Sequence, residues 1–282
     1  MVVMDATDVV ATLSERHGYE EKELRECFAE AVLGGLLMSS YCKKGERINL
    51  KVKSQGPVLK RALIDATWDG GVRGFVSPAD PQIFSEESNV IFLTRAEGFG
   101  LGRWGQGILE ILRFKELEKD TPPYVSSVEL ATGLFPKDLA YYWATSEQVP
   151  TAVGMSVQFV NNDLQYCKAF LVQSMPGCPS SILGETEDHI KELEQRGSKF
   201  MDEDLETLSS LLLKDFPFQI LEDRPLRFEC HCSEERVSRA LSLLNKNEII
   251  QMIEEDHGAH IHCDYCGADY SFSEKDLENL VD

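Results

Sequence analysis

The sequence predicts an α+β protein in three parts. These are a mixed sheet-and-helix domain over residues 1–178, an acidic helical linker over 179–226, and a small cysteine module over 227–282. Three observations lead there. Strand-patterned runs are mixed with segregated helical ones in the first part. Strand patterning ceases near Cys178. Four of the eight cysteines then fall together as C-x-C and C-x-x-C: Cys230, Cys232, Cys263 and Cys266.

The elements follow in order. Residues 5–42 read as helical, with Leu24, Cys27, Phe28, Ala31, Val32 and Leu36 on one apolar face. The run FAEAVLGGLLMSSYC is shorter than the ~20 residues of a membrane span and reads as a buried helix. RINLKVKS alternates Ile48, Leu50 and Val52 with Asn49, Lys51 and Lys53, the period of a half-buried strand. LKRALIDATWDGGVRGFVSP is a hairpin around Asp69-Gly70-Gly71, and NVIFLTR is a further strand. LFPKDLAYYWATSEQ is a helix with Pro136 in its first turn. AVGMSVQFVNNDLQYCKAFLVQSMP is a second hairpin turning at Asn161-Asn162-Asp163.

From Ser180 to Leu226 there are 12 acidic and 5 basic residues and no strand pattern. Ile190, Leu193, Leu205, Leu208, Leu211 and Leu212 recur at helical spacing, interrupted by Gly197 and Pro217. Short amphipathic helices of this kind form only where something covers their apolar faces. The module that follows is too small to hold itself together easily without a metal or staple. Between its cysteine pairs, SEERVSRALSLLNKNEIIQMIEED reads as helix, with Val237, Leu241, Leu244, Ile249, Ile250 and Ile253 facing inward.

The net charge of −20 repels phosphate backbones and sets nucleic acid aside as a partner, although acidity also serves solubility by itself. No apolar run suits a membrane. MVVMDATDVVATLSERHG lacks the basic start and apolar core of a signal peptide, so a reducing, cytoplasmic location is expected.

In such a compartment two tight cysteine pairs point to metal or redox chemistry rather than structural disulfides. Four thiolates form the tetrahedral set that Zn²⁺ favours, so one Zn²⁺ per chain on Cys230, Cys232, Cys263 and Cys266 is the expectation. A Cys₃His set is the alternative, because His231, His257, His260 and His262 share the module. A C-x-C pair can also close a small, strained disulfide that is easily reduced again. Metal binding in modules of this size is worth ~10–16 kcal/mol, so losing the metal is expected to unfold residues 227–282.

Other motifs carry less. Gly100, Gly102 and Gly105 spell G-x-G-x-x-G ahead of helix-like GILEILRF, but no βαβ unit follows, and a glycine-rich turn between strands is expected. Cys27 reads as a buried hydrophobe, and Cys178, beside Pro179, as the most exposed of the four scattered cysteines, which include Cys42 and Cys167. No nucleophile–base pair stands out, and four sulfurs leave no open coordination position, so an enzyme is not expected.

FECHCSEERVSRALSLL, NEIIQMIEED and CDYCGADYSFSEKDL resemble the Hsp33 family of redox-regulated chaperones, as do SQGPV, DGGVRGFV, DLAYYWATSEQVPTAVG and FLVQSMPG. The resemblance runs from about Leu13 to Leu280. It implies a zinc-bound, inactive monomer when reduced. Oxidation then implies Cys230–Cys232 and Cys263–Cys266 disulfides, zinc release, unfolding of a metastable linker in the 180–226 region, and dimerisation. The oxidised form holds unfolding client proteins without ATP. Such chains usually begin with a strand and turn ahead of the first helix, for which no counterpart is read here. A zinc-ribbon module for ribosome or RNA is the rival, opposed by the 13 acidic and 5 basic residues of 227–282. A thiol oxidoreductase would set its C-x-x-C at a helix start rather than in a turn-rich tail.

Overall fold

A strand does open the chain. The computed structural model describes residues 1–79, 102–115, 121–195, 197–214 and 216–281, and in it β1 (Val2–Asp5) precedes α1 (Thr7–His17). This corrects the reading of no N-terminal strand. Four residues carry too little periodicity to register. What makes them a strand is pairing with a partner more than 160 residues away, with Val2 opposite Leu171 and Asp5 opposite Lys168. Gly18, at φ +61°, caps α1 and turns the chain into α2 (Lys22–Ser39).

The chain forms two compact units, Met1–Phe228 and Glu229–Asp282. In the first, α2 is the central element and is buried from Cys27 to Ser39. One sheet runs β6-β5-β2-β3-β4-β9, built from β2 (Glu46–Ser54), β3 (Leu59–Thr67), β4 (Gly71–Pro78), β5 (Gly107–Lys115), β6 (Tyr124–Glu129) and β9 (Arg227–Phe228). The other runs β1-β8-β7, with β7 (Thr151–Val160) and β8 (Asp163–Gln173). Helix α2 packs on β2, β3 and β4 on one side and on β7 and β8 on the other. Its Gly34-Gly35 pair permits this. A Cβ would lie 2.7 Å from the Phe135 ring at Gly34 and 2.6 Å from Ile64 at Gly35. Between β6 and β7, α3 (Phe135–Tyr142) continues into a wider turn over Trp143–Glu147.

Both hairpins fall where the alternation places them, and Asn161 and Asn162 supply the positive φ of the second turn. The strand read at NVIFLTR lies outside the described residues, as does Gly100. GILEILRF is strand rather than helix-like, paired with both β2 and β6. Gly102 and Gly105 belong to the turn before it, which carries the fully buried Trp104 stacked on Phe135 at 4.2 Å.

Residues 180–213 form α4 (Ser180–Gln195), a 3₁₀ turn (Ser198–Asp202) and α5 (Leu205–Leu213). What covers them is β8. Its odd residues, Cys167, Ala169 and Leu171, face α2. Its even residues Tyr166 and Phe170 face the other way and bury Ile190, Leu193, Met201, Leu208 and Leu212. Leu205 and Leu211 point to solvent. Asp204 caps α5 by accepting from the N–H groups of Glu206 and Thr207.

In the second unit the single helix read over 233–256 is two, α6 (Glu234–Leu241) and α7 (Lys246–Asp256). Asn245 and Glu248 form a reciprocal capping box that starts α7 afresh. The break rotates the face: Leu244 and Ile250 are exposed, while Leu241 and Ile249 are buried. A hairpin, β10 (Gly258–Cys263) and β11 (Ala268–Ser273), and α8 (Glu274–Val281) complete a core of Leu241, Ile249, Phe272 and Leu277. Among the described residues no helix is long and apolar enough to cross a membrane.

Candidate metal centre

Cys230 and Cys232 lie between the short β9 and α6, whose first turn is fixed by Ser233 accepting from the Arg236 N–H at 3.2 Å. Cys263 ends β10, and Cys266 sits in the turn to β11. There the N–H groups of Cys266 and Gly267 both donate to the Cys263 carbonyl, at 3.1 and 2.8 Å. Gly267 closes that turn at φ +67°.

The four sulfurs all lie within 4.8 Å of one another. Cys230 Sγ is 4.0 Å from Cys263 Sγ, and Cys232 Sγ is 3.2 Å from Cys266 Sγ. A tetrahedron with metal–sulfur bonds of about 2.3 Å has edges of about 3.8 Å, so the set fits a metal ion that prefers thiolate. Among the described residues it is the one group of three or more His, Cys, Asp or Glu side chains so converged. The histidines stand outside it. His257 Nδ1 donates to Glu274 at 2.7 Å, His262 Nδ1 to Asp269 at 2.7 Å, and His260 Nδ1 lies 2.9 Å from the Ser271 hydroxyl. His231 is 3.6 Å from Glu229.

Tyr270 joins the sulfurs without being predicted: its hydroxyl donates to Cys232 Sγ at 3.1 Å. The hydrogen bond to Cys232 pushes the Tyr270 hydroxyl up to about 12. The signal available was ADYSFS, where strand alternation puts Tyr270 and Phe272 on one face. Desolvation raises the Cys263 and Cys266 thiols, and for Cys266 the bond with Cys232 adds to it. A bound cation inverts that tendency, since coordinating thiols are deprotonated outright. Of the other cysteines, Cys27, Cys42 and Cys167 are buried, and Cys178 is half-buried.

Fold and site together define an α+β protein carrying a four-thiol module that could hold a metal ion. Comparison with known proteins narrows this to one family of chaperones. Residues 1–273 match the Hsp33 protein family, and the chain belongs to it. It is 32% identical to the 33 kDa chaperonin of Levilactobacillus brevis, an alignment covering 99% of this chain and 92% of that one. Identity to the 33 kDa chaperonin of Lactobacillus delbrueckii subsp. bulgaricus is 34%, covering 100% and 93%. The crystal structure of the 33 kDa chaperonin (heat shock protein 33 homolog) of Thermotoga maritima superposes with a TM-score of 0.85. Its sequence identity is 26%, over 99% of this chain and 92% of that one. The family is one of chaperones, not of enzymes.

Proposed function

We propose that this chain is a redox-regulated holdase of the cytoplasm: zinc-loaded, monomeric and inactive when reduced, dimeric and client-binding when oxidised. The observation that carries the reading is the convergence of four thiols within 4.8 Å in a unit with only a small apolar core. Cys230, Cys232, Cys263 and Cys266 would hold one Zn²⁺, which supplies the positive charge that keeps all four sulfurs as thiolates near neutral pH.

The sulfurs do the chemistry. A thiolate attacks one peroxide oxygen, the O–O bond breaks, and a sulfenic acid and hydroxide result. Its neighbour's thiolate then attacks the sulfenic sulfur, the S–S bond forms, and a second hydroxide leaves. Each pair, Cys230–Cys232 and Cys263–Cys266, thus gives two electrons to one peroxide. Sulfurs so joined would no longer serve as thiolate ligands, and the four cysteines would lose their hold on the metal. The module loses stabilisation on the order of 10 kcal/mol, more than its core can replace. Residues 179–226 act as the linker that opens with it, since their helices depend on covered apolar faces. Unfolding proteins are then held without ATP.

The test is light scattering of a chemically unfolded client diluted into buffer with the reduced, zinc-loaded chain or with the peroxide-treated chain. Suppression of aggregation only after oxidation is expected. Equal suppression in both would make the chaperone constitutive and the metal merely structural. Suppression in neither would overturn the holdase reading.

A further inference from the structure

Strand β10 carries two histidines that the sulfur cluster does not use. His260 and His262 are two residues apart, both exposed, while Ala259 and Ile261 between and beside them turn inward to the core. Residues at i and i+2 of a strand share a face about 6.6 Å apart, close enough for two imidazoles to reach one ion.

Each ring is also held. His260 faces Ser271 and His262 faces Asp269 across the hairpin, and these cross-strand partners are the groups that meet their Nδ1 atoms, at 2.9 and 2.7 Å. Asp269 can only accept, so His262 Nδ1 carries a proton, and in the neutral ring that leaves the lone pair on Nε2. The Ser271 hydroxyl can accept from His260 Nδ1, and in that tautomer the lone pair is again on Nε2. Among the described residues neither Nε2 has a hydrogen-bond partner. A histidine whose other nitrogen donates to a carboxylate or hydroxyl is the arrangement that metal-ligating imidazoles adopt.

We propose that the outer face of β10 is a second metal site, in which Nε2 of His260 and of His262 bind one divalent transition-metal ion of the class that prefers imidazole, such as Ni²⁺, Cu²⁺ or Zn²⁺. Asp269 and Ser271 are its positioning residues. The hairpin carries the site, so it stands whether or not the redox reading holds.

Titration of the reduced, zinc-loaded full chain with Ni²⁺, followed by calorimetry, tests it. The wild type is expected to take up one ion, and the doubly substituted H260A/H262A chain to bind it at least tenfold more weakly with unchanged zinc content. Asp269→Ala, which keeps both ligands, is expected to weaken binding about tenfold through loss of ring orientation. Equal Ni²⁺ binding by wild type and double variant overturns the proposal, as does no binding by wild type. Proton NMR of the unaltered chain gives an answer that needs no variant. Paramagnetic Ni²⁺ should broaden the His260 and His262 ring signals before those of His231 and His257, and the reverse order overturns the site. Failure of the four-cysteine reading looks different, because Ni²⁺ entering the sulfurs produces sulfur-to-nickel charge-transfer absorption that imidazoles do not.

Discussion

Glu30 is an acid buried to 9% exposure on the central helix. It accepts from the Trp104 indole N–H at 2.7 Å and pairs with Arg103, which also pairs with Glu26. Glu30→Ala strands a buried indole donor and half of a guanidinium's partners, which costs about 2–3 kcal/mol. A urea midpoint that falls without a change of slope is the expected result; a midpoint within error of wild type would mean water replaces the carboxylate. The cysteines of the same core give a pH dependence. Burial pushes the Cys42 thiol up from 9.0 to about 11 and raises Cys27 and Cys167 as well. A raised thiol favours the fold below pH 9, and that contribution is lost as pH climbs from 9 to about 11, where the unfolded chain ionises first. The stability gap between wild type and Cys42→Ala should therefore narrow by about 2 kcal/mol between pH 8 and pH 11. A gap that stays constant would place Cys42 in water-accessible surroundings.

Among the elements, the layer formed by α4, the 3₁₀ turn and α5 is fastened to β8 by a buried lysine. The Lys168 ammonium, nearly buried on the same face of β8 as Tyr166 and Phe170, donates to the carbonyls of Asp202 and Glu203 at 3.2 and 2.7 Å. Asp5 lies 3.7 Å away. Lys168→Met keeps the bulk and removes both bonds, so amide exchange over 198–213 should quicken by roughly 30-fold, equivalent to about 2 kcal/mol. Unchanged exchange there would show that apolar contact alone holds the layer. Lys168 illustrates what sequence pattern leaves out: an isolated lysine in a strand reads as solvent-facing, and its role comes from a turn that folds back 34 residues later. Long-period features were legible, namely both hairpins, the buried α2 and the helical 180–213. Features decided by a distant or local partner were not. β1 needs β8, β5 needs two neighbours to override a helix-like run, and α6 and α7 are separated by a capping box inside an unbroken helical pattern. The four-thiol cluster was legible because a C-x-C and a C-x-x-C already fix each pair locally, leaving only one long-range closure to the fold.

At the scale of the whole molecule the two units have unequal means of support. The first buries side chains from two sheets and α2 in one continuous core, whereas the buried apolar side chains among the described residues of the second are Leu241, Ile249, Phe272 and Leu277, besides Cys266. A core that small is largely offset by chain entropy, and in the function proposed above metal bound to the four sulfurs supplies the difference. Stripping metal from the reduced chain with a chelator should therefore erase amide protection over α7, β10 and β11 while β2, β3, β4 and β5 keep theirs. Hydrogen exchange read by mass spectrometry separates the two sets of peptides in one experiment, and returning one equivalent of Zn²⁺ should restore the lost protection. A binding energy of ~10–16 kcal/mol tied to four thiolates would exceed the stability of most whole domains. Protection that persists over 246–273 in the metal-free, reduced chain would mean the hairpin and helices stand by themselves, and cysteine oxidation would then lack the energy to reshape anything beyond its own loop.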